Sequence, residues 1–563
     1  MISSDYFYNI KEIIINCVNG FCATSSPITL ENTQNMILEV LKLKYNQNTS
    51  MPTLLSNHIT IGKAQNGTNI EFQLPVTSLQ KVLSTSFRDK QVNVFEIKNI
   101  VTDGIICEIR EKAIKNNISI VFEINRNVFI KEVLQDIVSD PVIWRKTLVQ
   151  NLLPCSEEKK VIIEYSSPNI AKPFHMGHLR STIIGNFIAN ILEFMSHKVI
   201  RINYLGDWGT QFGLLQVGLK LCDYSEAMIK QNPMQLLYQA YVEANKKAEI
   251  DPSVTARARE AFHCLEAGNM EKMKEWQLFR GYTEQELQHV YQRLGVRFDE
   301  YNWESEYSAK EVGSILHSLK TRGIMKTESD GKQVVEINQQ WHVPVMKSDG
   351  STLYLMRDIA AAMDRYDRHK FAEMLYVVDN SQADHFKALF GVLSCMQLPW
   401  ASSLKHVKFG RIRGMSTRKG SVVFLTDILD EIRDIMATKQ QESHTTKALL
   451  GEHNEKTTDI LGISAVIIND LKQRRQKDYE FDWNRALQVQ GDTGVKLQYT
   501  HCRLWNLEKN CGASLPLECD SGVLQEPEAV QLVKNIARFD EVIMKSYEEL
   551  EACILANYLL RFW

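Results

Sequence analysis

The sequence has no Cys-x-x-Cys pair, although 11 cysteines are scattered along its 563 residues. We therefore expect neither a zinc ribbon nor a disulfide framework, and a reducing compartment is favoured. No apolar run reaches the roughly 18 residues that a membrane-spanning helix needs. Acidic and basic residues number 68 and 65, so the net charge of −3 does not indicate a nucleic-acid-binding protein, although it is compatible with a local basic surface.

The N-terminal thirty residues also lack the features of a targeting segment. They contain one basic residue, Lys11, and two acidic ones, Asp5 and Glu12. This differs from an Arg-rich, acid-poor transit peptide, and a secretory signal is absent as well. With 44% hydrophobic and 24% charged residues, the composition is that of a soluble globular protein. The length predicts three or four domains of roughly 150 residues each.

Strand and helix signals alternate in the middle of the chain. VIIEY (161–165) is a short β-branched run typical of a buried parallel strand, an amphipathic helix follows from Leu179, and KVIRINYL (198–205) is the next strand. This unit predicts an α/β fold with a doubly wound parallel sheet. A long helical stretch at about 225–320 is interpreted as an insertion, after which the pattern resumes with the strand MLYVV (374–378).

The two ends of the chain have different patterns. The N-terminal region mixes strand and helix signals, with a predicted helix at 28–45 and a strand followed by a helix in KNNISIVFEINRNVFIKEVLQDIV. The C-terminal region is predicted to be helical throughout. We therefore expect an N-terminal α+β domain at 1–150, an α/β domain at 151–430 with a helical insertion at about 220–345, and an all-α domain at 431–563.

The segment SSPNIAKPFHMGHLRST (166–182) joins the first strand to the first helix. In an open α/β sheet, ligands bind beyond the carboxyl ends of strands, and the N–H groups and dipole at a helix start attract phosphate. His175 and His178 are three residues apart, so both can face one ligand, and Gly177 between them lets a ligand approach the backbone. A bare HxGH is nevertheless more often an ordinary turn with two surface histidines.

The segment SPNIAKPFHMGHLRST, continued through GNFIANILEFMSHKVIRINYLGDWGTQFGLL (185–215), closely resembles the signature of arginyl-tRNA synthetases. These are class I aminoacyl-tRNA synthetases, and HMGH corresponds to their HIGH motif. The resemblance implies a class I Rossmann-type catalytic domain. It also implies that His175 and His178 are catalytic and stabilise the ATP phosphates, next to Gly177, as arginyl adenylate forms.

A site for arginine needs a carboxylate that accepts the guanidinium fork. KSDGSTLYLMRDIAAAMDRYD (347–367) supplies Tyr354 and Asp358, which lie on one face if this segment is helical. Taken alone, Asp358 is more often half of an ion pair with Arg357 or Arg365 on a solvated face. The resemblance to the SDGxxLYxxRDxAAAxDR segment of the family implies that Asp358 holds the guanidinium and that Tyr354 shapes the pocket.

The resemblance implies further contacts around the substrates. Gln382, beyond the strand 374–378, is expected to hold the arginine α-amino group, and His385 belongs to the nucleotide site. Glu164 is either a second carboxylate of the arginine site or a strand-end charge in water. The remaining residues expected to bind arginine are Ser167, Pro168, Asn169 and His178.

The segment RIRGMSTRKGSVVFL (411–425) is basic and contains no acidic residue. In isolation it is compatible with a solvated charge run, but GMSTRKG resembles a common arginyl-tRNA synthetase form of the class I KMSKS loop that lacks both lysines. Lys172, three residues before His175, is implied to replace the missing charge in catalysis and ATP binding. Four loop residues are also expected to bind ATP: Met415, Ser416, Arg418 and Lys419. Magnesium is expected as the counter-ion of ATP, although no acidic metal-ligand motif is visible.

The stretch 463–509 resembles the start of the helical anticodon-binding domain of the family. The basic residues Lys472, Arg474 and Arg475 suit phosphate contacts, whereas Gln498 and Tyr499 suit contacts with unstacked bases. Residues 1–150 have a weaker resemblance to the additional domain that binds the tRNA elbow. Relatives continue for several helices past the point equivalent to Trp563, so we expect an incomplete C-terminus that leaves apolar surface exposed.

The resemblance implies an arginine–tRNA ligase, an enzyme that activates L-arginine with ATP and Mg²⁺ and transfers it to tRNA(Arg). We expect a monomer with no tightly bound cofactor, no bound structural metal and no association with membranes. The amino-acid sequence of residues 478–501 resembles mitochondrial and fungal members of the family more than bacterial ones. This resemblance indicates a mitochondrial matrix enzyme, with the cytoplasm as the alternative. Two other interpretations remain open: a truncated, non-catalytic tRNA-binding paralogue, and another HxGH nucleotidyltransferase.

Overall fold

The computed structural model describes residues 59–62, 69–86, 106–114, 117–137, 141–152, 158–169, 174, 176–307, 309–413, 425–442, 452–512 and 520–562. These residues fall into two compact units. The larger unit contains the described residues within 157–498 and 550–556. The smaller unit contains those within 7–156, 499–549 and 557–563. The predicted helix at 28–45 lies outside the described residues.

The smaller unit contains a four-stranded antiparallel sheet with the order β1–β2–β4–β3. Its strands are β1 (Thr60–Ile61), β2 (Ile70–Pro75), β3 (Ile106–Ile114) and β4 (Asn117–Ile124). The helices in its N-terminal part are α1 (Val76–Ser86), α2 (Arg126–Ile137) and α3 (Pro141–Leu152). The strand and the helix predicted in KNNISIVFEINRNVFIKEVLQDIV are confirmed as β4 and α2. Ile120 and Phe122, which alternate along β4, are completely buried.

The larger unit contains most of the regular elements. Its strands are β5 (Lys160–Glu164), β6 (Lys198–Leu205), β7 (Glu300–Trp303), β8 (Met325–Thr327), β9 (Gln333–Asn338), β10 (Trp341–Met346), β11 (Glu373–Asp379), β12 (Leu404–Phe409), β13 (Ile412–Arg413) and β14 (Tyr479–Glu480). Its helices are α4 (Met176–Phe194), α5 (Thr210–Cys222), α6 (Glu226–Gln231), α7 (Pro233–Ile250), α8 (Pro252–Glu266), α9 (Met270–Leu294), α10 (Ala309–Thr321), α11 (Tyr354–His369), α12 (Ala383–Cys395), α13 (Leu425–Glu442), α14 (Glu452–Leu471), α15 (Trp483–Ala486) and the first five residues of α16 (Gly494–Asn510).

The central sheet has five parallel strands in the order β12–β11–β5–β6–β7. The chain therefore winds outwards from β5 through β6 to β7, and in the opposite direction from β11 to β12. The prediction of a doubly wound parallel sheet is confirmed. Ligands bind in such sheets beyond the carboxyl ends of the strands at the point where the winding reverses, which here lies between β5 and β11.

Burial explains why β5 and α4 form where the sequence predicted them. Val161, Ile162 and Ile163 in β5 are at most 1% exposed, as expected for a strand covered on both faces of a parallel sheet. In α4, both predicted apolar stripes are buried, including Ile183 and Ile184, because this helix packs on β6 and β11 and also contacts α14.

The stretch predicted as one helical insertion is only partly helical. α6–α9 agree with its first part, but residues Glu300–Trp303 form β7, because their aromatic side chains suit the edge position that pairs with β6. Beyond α10, the antiparallel strands β8, β9 and β10 form a separate three-stranded sheet in the order β10–β9–β8. The helical prediction is therefore wrong for residues 325–346, where apolar residues recur with a period of two.

The C-terminal region is helical apart from the two-residue strand β14 and turns, within the residues that the structure describes. Its last helices are α17 (Pro527–Ala537), α18 (Phe539–Glu549) and α19 (Ala552–Phe562). Trp505 and Leu507 in α16 are 49% and 64% exposed, whereas Phe562 in α19 is buried. The expected incompleteness of the C-terminus stays a prediction. None of the described helices is both long and apolar enough to cross a membrane.

Candidate active site

The backbone turns sharply where β5 ends. Ser166 and Ser167 both have positive φ angles, 73° and 47°, which are uncommon for residues other than glycine. Two side chains hold this conformation: Ser181 Oγ accepts a hydrogen bond of 3.0 Å from the Ser166 N–H, and Asn203 Oδ1 accepts one of 3.0 Å from the Ser167 N–H. The turn directs the following residues towards the carboxyl end of β6.

Two predicted arginine-binding residues lie against the segment 206–209 that follows β6. Asn169 forms a parallel bridge with Gly206, and a Cβ atom at Gly206 would lie 2.1 Å from Asn169 Oδ1. At the other end of the segment, Gly209 has a φ of 136°, and the Tyr354 hydroxyl lies 3.5 Å from the position of its missing Cβ. The two glycines therefore allow both side chains to approach the backbone of this segment closely.

The start of α4 carries the described part of the predicted ATP site. Gly177 is exposed and His178 is partly exposed, with the His178 ring centroid 5.4 Å from that of Phe174. The Thr182 hydroxyl donates a 2.6 Å hydrogen bond to the His178 carbonyl. The other predicted residues lie outside the described part of the chain: Lys172, His175, Met415, Ser416, Arg418 and Lys419.

Asp358, on the first turns of α11, contacts His385 on the first turn of α12. The distance from His385 Nε2 to Asp358 Oδ2 is 2.7 Å, and both side chains are partly buried, at 31% and 24% exposure. The hydrogen bond to Asp358 raises the pKa of His385 above its usual value. Two residues assigned to different substrates, arginine and ATP, are therefore direct neighbours.

Arg357 and Arg365, the two alternative ion-pair partners considered for Asp358, pair with other carboxylates. Arg357 Nη1 lies 3.2 Å from Glu304 Oε1, and Arg365 pairs with Glu164. Glu164 and Arg365 are almost completely buried, so the interpretation of Glu164 as a strand-end charge in water is wrong. Burial raises the pKa of Glu164, and the guanidinium of Arg365 opposes this effect. The charge of Glu164 is thus already balanced within the protein.

Two further buried carboxylates were not identified from the sequence: Glu304, which interacts with Asp358, and Asp207, which interacts with Glu304. Burial raises the pKa of Glu304 to about 7, and the negative charges of Asp358 and Asp207 add to this increase. Burial raises the pKa of Asp207 itself to about 6. Both residues directly follow strands of the parallel sheet, and this position was the available sequence signal. Of the three carboxylates, Asp358 has the largest exposed fraction, 24%, compared with 13% for Glu304 and none for Asp207.

The remaining predicted arginine contacts lie at the same edge of the sheet. Pro168 is buried, and its carbonyl accepts a 3.3 Å hydrogen bond from the Gly206 N–H. Gln382 is exposed and ends the short 3-10 helix Asn380–Gln382 directly after β11. The structure therefore brings the predicted residues that follow β5 and β11 to one edge of the sheet, while their individual roles stay predictions.

The predicted tRNA-binding residues of the larger unit are mostly engaged within the protein. Lys472 Nζ donates to the Asp492 carbonyl at 2.9 Å, Arg475 Nη1 donates to the Lys408 carbonyl at 2.5 Å, and Gln498 Nε2 donates to Ser464 Oγ at 2.9 Å. Arg474 is exposed. In the smaller unit, Tyr499 is 60% exposed, with the Arg503 guanidinium 5.8 Å from its ring centroid. Their contacts with tRNA stay predictions, and the exposed side chains Arg474 and Tyr499 are the more accessible ones.

Comparison with known proteins identifies the family of the chain. Residues 143–483 match the family described as "tRNA synthetases class I (R), catalytic domain", and residues 497–562 match the "DALR anticodon binding domain". The first match covers more than half of the chain. The chain belongs to the arginyl-tRNA synthetase family. The predictions of the family, of the class I fold and of a ligase that forms aminoacyl-tRNA are thereby confirmed, and synthetases of this family use ATP as a substrate.

Curated relatives of this synthetase include organellar and cytoplasmic forms. This synthetase is 42% identical over 496 residues to the "Probable arginine--tRNA ligase, mitochondrial" of Homo sapiens, and the match covers 87% of this chain and 84% of that protein. It is 41% identical over 419 residues to the "Arginine--tRNA ligase, cytoplasmic" of Saccharomyces cerevisiae, covering 72% and 68%.

Solved structures show the same fold. The arginyl-tRNA synthetase of Plasmodium falciparum superposes with a TM-score of 0.70 at 20% identity, over 95% of this synthetase and 91% of that chain. The Thermus thermophilus enzyme has a TM-score of 0.70 at 18% identity, over 94% and 90%. At these identities, the likeness supports the fold alone.

Proposed function

We propose that this synthetase activates L-arginine with ATP and then transfers the arginyl group to tRNA(Arg). The observation that carries this proposal is the position of Asp358 at the sheet edge where the winding reverses, beside Glu304 and close to the ends of β5 and β6. A partly buried carboxylate suits the guanidinium group, which carries a permanent charge.

Arginine binds, in this proposal, with its guanidinium on Asp358 and its side chain along Tyr354. Its α-amino end faces Asn169, Ser167, Pro168 and Gln382, which lie near the ends of β5 and β11. Binding of a guanidinium releases Asp358 from its hydrogen bond with His385, so that His385 becomes available to the nucleotide. The Asp358–His385 contact thus couples the two substrate positions.

In the activation step, an oxygen of the arginine carboxylate attacks the α-phosphorus of ATP. The bond to the pyrophosphate breaks, and arginyl adenylate forms. His178 and the N–H groups at the start of α4 stabilise the charge that develops on the phosphate oxygens, together with His175 and Lys172. Magnesium enters with ATP as part of that substrate, and the described residues contain no cluster of three or more His, Cys, Asp or Glu side chains that could hold a metal ion.

In the transfer step, a hydroxyl of the terminal ribose of tRNA(Arg) attacks the arginyl carbonyl carbon, and AMP leaves. Exposed Arg474 contacts a phosphate, and exposed Tyr499 stacks on an unpaired base. We further propose that the protein acts as a monomer and that it is located in the mitochondrial matrix. Relatives named as mitochondrial share about two fifths of its residues, which supports the mitochondrial location. Static light scattering and imaging of a fluorescent fusion in cells test these two points, and a cytoplasmic signal would contradict the location.

A charging assay tests the proposed function. The purified chain is incubated with total tRNA, ATP and each amino acid in turn, and both acid-precipitable aminoacyl-tRNA and released AMP are measured. We expect charging with arginine only, and none without ATP. Binding of tRNA without charging would instead support a non-catalytic paralogue. AMP release without aminoacyl-tRNA would support a different nucleotidyltransferase.

A further inference from the structure

Asp207 lies in the middle of the segment 206–209 but does not face the proposed arginine site. Its side chain has no exposed surface. The Ser305 backbone N–H donates to Asp207 Oδ1 at 3.0 Å, and the Ser305 hydroxyl donates to Asp207 Oδ2 at 2.7 Å. Each carboxylate oxygen therefore has a fixed partner on the short 3-10 helix Glu304–Glu306.

The insertion helix α9 holds Asp207 from the other side. Trp276 Nε1 donates a 3.2 Å hydrogen bond to the Asp207 carbonyl, so the backbone of the residue is fixed as well as its side chain. Arg280 Nη1 lies 4.0 Å from Asp207 Oδ2, and the Arg280 guanidinium lies 4.0 Å from the ring centroid of Trp303. An aromatic ring at this distance holds the cation beside the carboxylate.

These contacts link three parts of the proposed arginine site. Gly206, directly before Asp207, bridges to Asn169, and Gly209, two residues after it, faces the Tyr354 hydroxyl. Ser305 directly follows Glu304, one of the carboxylates near Asp358. A shift of the Asp207 side chain would move the backbone against which Asn169 and Tyr354 pack, and it would also release the 3-10 helix that carries Glu304.

We propose that Asp207 is a positioning residue for arginine binding, which ties the segment 206–209 to the 3-10 helix Glu304–Glu306 and thereby sets the distance between Asn169, Tyr354 and the carboxylates. This inference rests on the proposed function, because it requires that these residues bind arginine. Burying a carboxylate is expensive, and a well-packed apolar residue is often at least as stable. The segment 206–209 contacts Asn169 at one end and Tyr354 at the other, so the buried charge of Asp207 can position these residues as well as stabilise the fold.

The test compares Asp207→Ala with Asp207→Asn in arginine-dependent and ATP-dependent kinetics. An asparagine can keep both contacts with Ser305, since its carbonyl accepts from the N–H and its amide donates to the hydroxyl oxygen. We expect Asp207→Ala to raise the arginine KM by about tenfold or more, the size expected for losing paired buried hydrogen bonds, with the ATP KM changed less than about twofold. Asp207→Asn should stay within about threefold of the wild type for both substrates.

Two further variants separate the possible outcomes. Thr283→Val is the control on α9, because the Thr283 hydroxyl is buried but donates only to the Phe279 carbonyl within that helix. It should leave both KM values unchanged. Ser305→Ala removes one of the two side-chain contacts and should raise the arginine KM in the same direction as Asp207→Ala, by a smaller factor. It also provides a result if Asp207→Ala does not fold.

Asp358→Asn is included because it tests the proposed arginine site directly. If Asp358→Asn leaves the arginine KM unchanged, the site assignment itself fails. If Asp358→Asn raises the arginine KM while Asp207→Ala and Ser305→Ala do not, only the role of Asp207 is overturned. Equal increases in the arginine and ATP KM for Asp207→Ala, without rescue by Asp207→Asn, would also overturn it, since they would indicate a general structural effect.

Discussion

Arg180 Nε lies 3.1 Å from Asp470 Oδ2, and the two side chains are only 1% and 3% exposed. The Tyr479 hydroxyl donates a 2.8 Å hydrogen bond to the same carboxylate oxygen, and Arg180 also donates to the Lys477 carbonyl at 3.0 Å. Arg180 follows His178 by two residues on α4, and Asp470 lies in the last turn of α14. The start of α4 is therefore joined by a buried ion pair to the end of α14, which the segment carrying Arg474 directly follows.

Removal of Asp470 should destabilise the protein strongly. Asp470→Ala leaves Arg180 buried without its counter-charge, and breaking a buried pair in this way costs about 3–5 kcal/mol. The matched control is Asp434→Ala, because Asp434 is exposed and its ion pair with Arg433 contributes about 1 kcal/mol or less. Urea unfolding followed by tryptophan fluorescence measures both changes. Equal effects of the two substitutions would contradict the structural importance of the buried pair.

Asp358→Asn should weaken arginine binding by at least about 2 kcal/mol, because a partly buried guanidinium loses its charged partner. Isothermal titration calorimetry with L-arginine measures the change. Asp367→Asn is the control on the same helix, since Asp367 is exposed and pairs with Lys370. Tight arginine binding by Asp358→Asn would remove this residue from the site.

Arginine affinity should rise with pH above about 6.5, the usual pKa of histidine. Asp358 raises the pKa of His385, so the protonated imidazole and its bond to Asp358 persist above the usual titration range. The stability that this pair contributes is fully present below pH 6.5 and is lost as the pH rises through the raised pKa. Over the same interval Asp358 becomes available to the guanidinium.

This pH dependence is measured as the arginine Kd between pH 6 and pH 9. It should be much flatter in His385→Asn, which cannot compete for Asp358 as a cation. Glu304, whose pKa is raised to about 7, is present in both proteins, so the contribution of His385 is the difference between the two profiles. A pH profile that is identical in the two proteins would show that His385 does not compete with arginine.

His178→Ala should lower the rate of adenylate formation more than it raises the arginine KM. The residue lies in the first turn of α4, and loss of one preorganised donor typically lowers the rate by about 10²–10³. Pre-steady-state adenylate formation measures the effect, with His317→Ala as the control because His317 is exposed in α10. An effect confined to the arginine KM would assign His178 to the amino-acid pocket.

Lys172→Ala should depress the activation step strongly and leave tRNA affinity almost unchanged. The basic segment at 414–418 lacks the two lysines that class I enzymes normally place on the ATP phosphates, so the charge has to come from another residue. Lys419→Ala should have the smaller effect, because Arg418 provides a neighbouring charge. The test compares the single-turnover rate of adenylate formation in the two variants. A larger defect in Lys419→Ala would assign the missing charge to the basic segment itself.

The sequence was most informative where local pattern and burial agree. β5, β6 and α4 were predictable because each contains an apolar run whose period matches one type of element, and the structure buries that run. The same holds for β11, whose carboxyl end leads to Gln382. Asp358 and Tyr354 were identified by resemblance, and their spacing on α11 follows from helical periodicity.

Other features depend on contacts between distant segments and were not predictable. Asp207 appears in the sequence as an ordinary acidic residue in a turn, and only the approach of Ser305 and Arg280 reveals why it is buried. β7 was missed because it is four residues long and lies between helices, so its identity comes from pairing with β6. The inward contact of Arg475 with Lys408 likewise depends on the folded chain and could not be inferred from a cluster of basic residues.

The ion pair between Glu164 and Arg365 constrains how the protein can fold as the ribosome makes it. The two residues are 201 positions apart, and each is buried against the other at the centre of the sheet. Until Arg365 has been synthesised, a nascent β5 would have to bury an unbalanced carboxylate or leave its end in water. The first three strands of the central sheet are therefore synthesised before the residue that balances Glu164, and β5 can complete its packing only after α11 and β11 have been made.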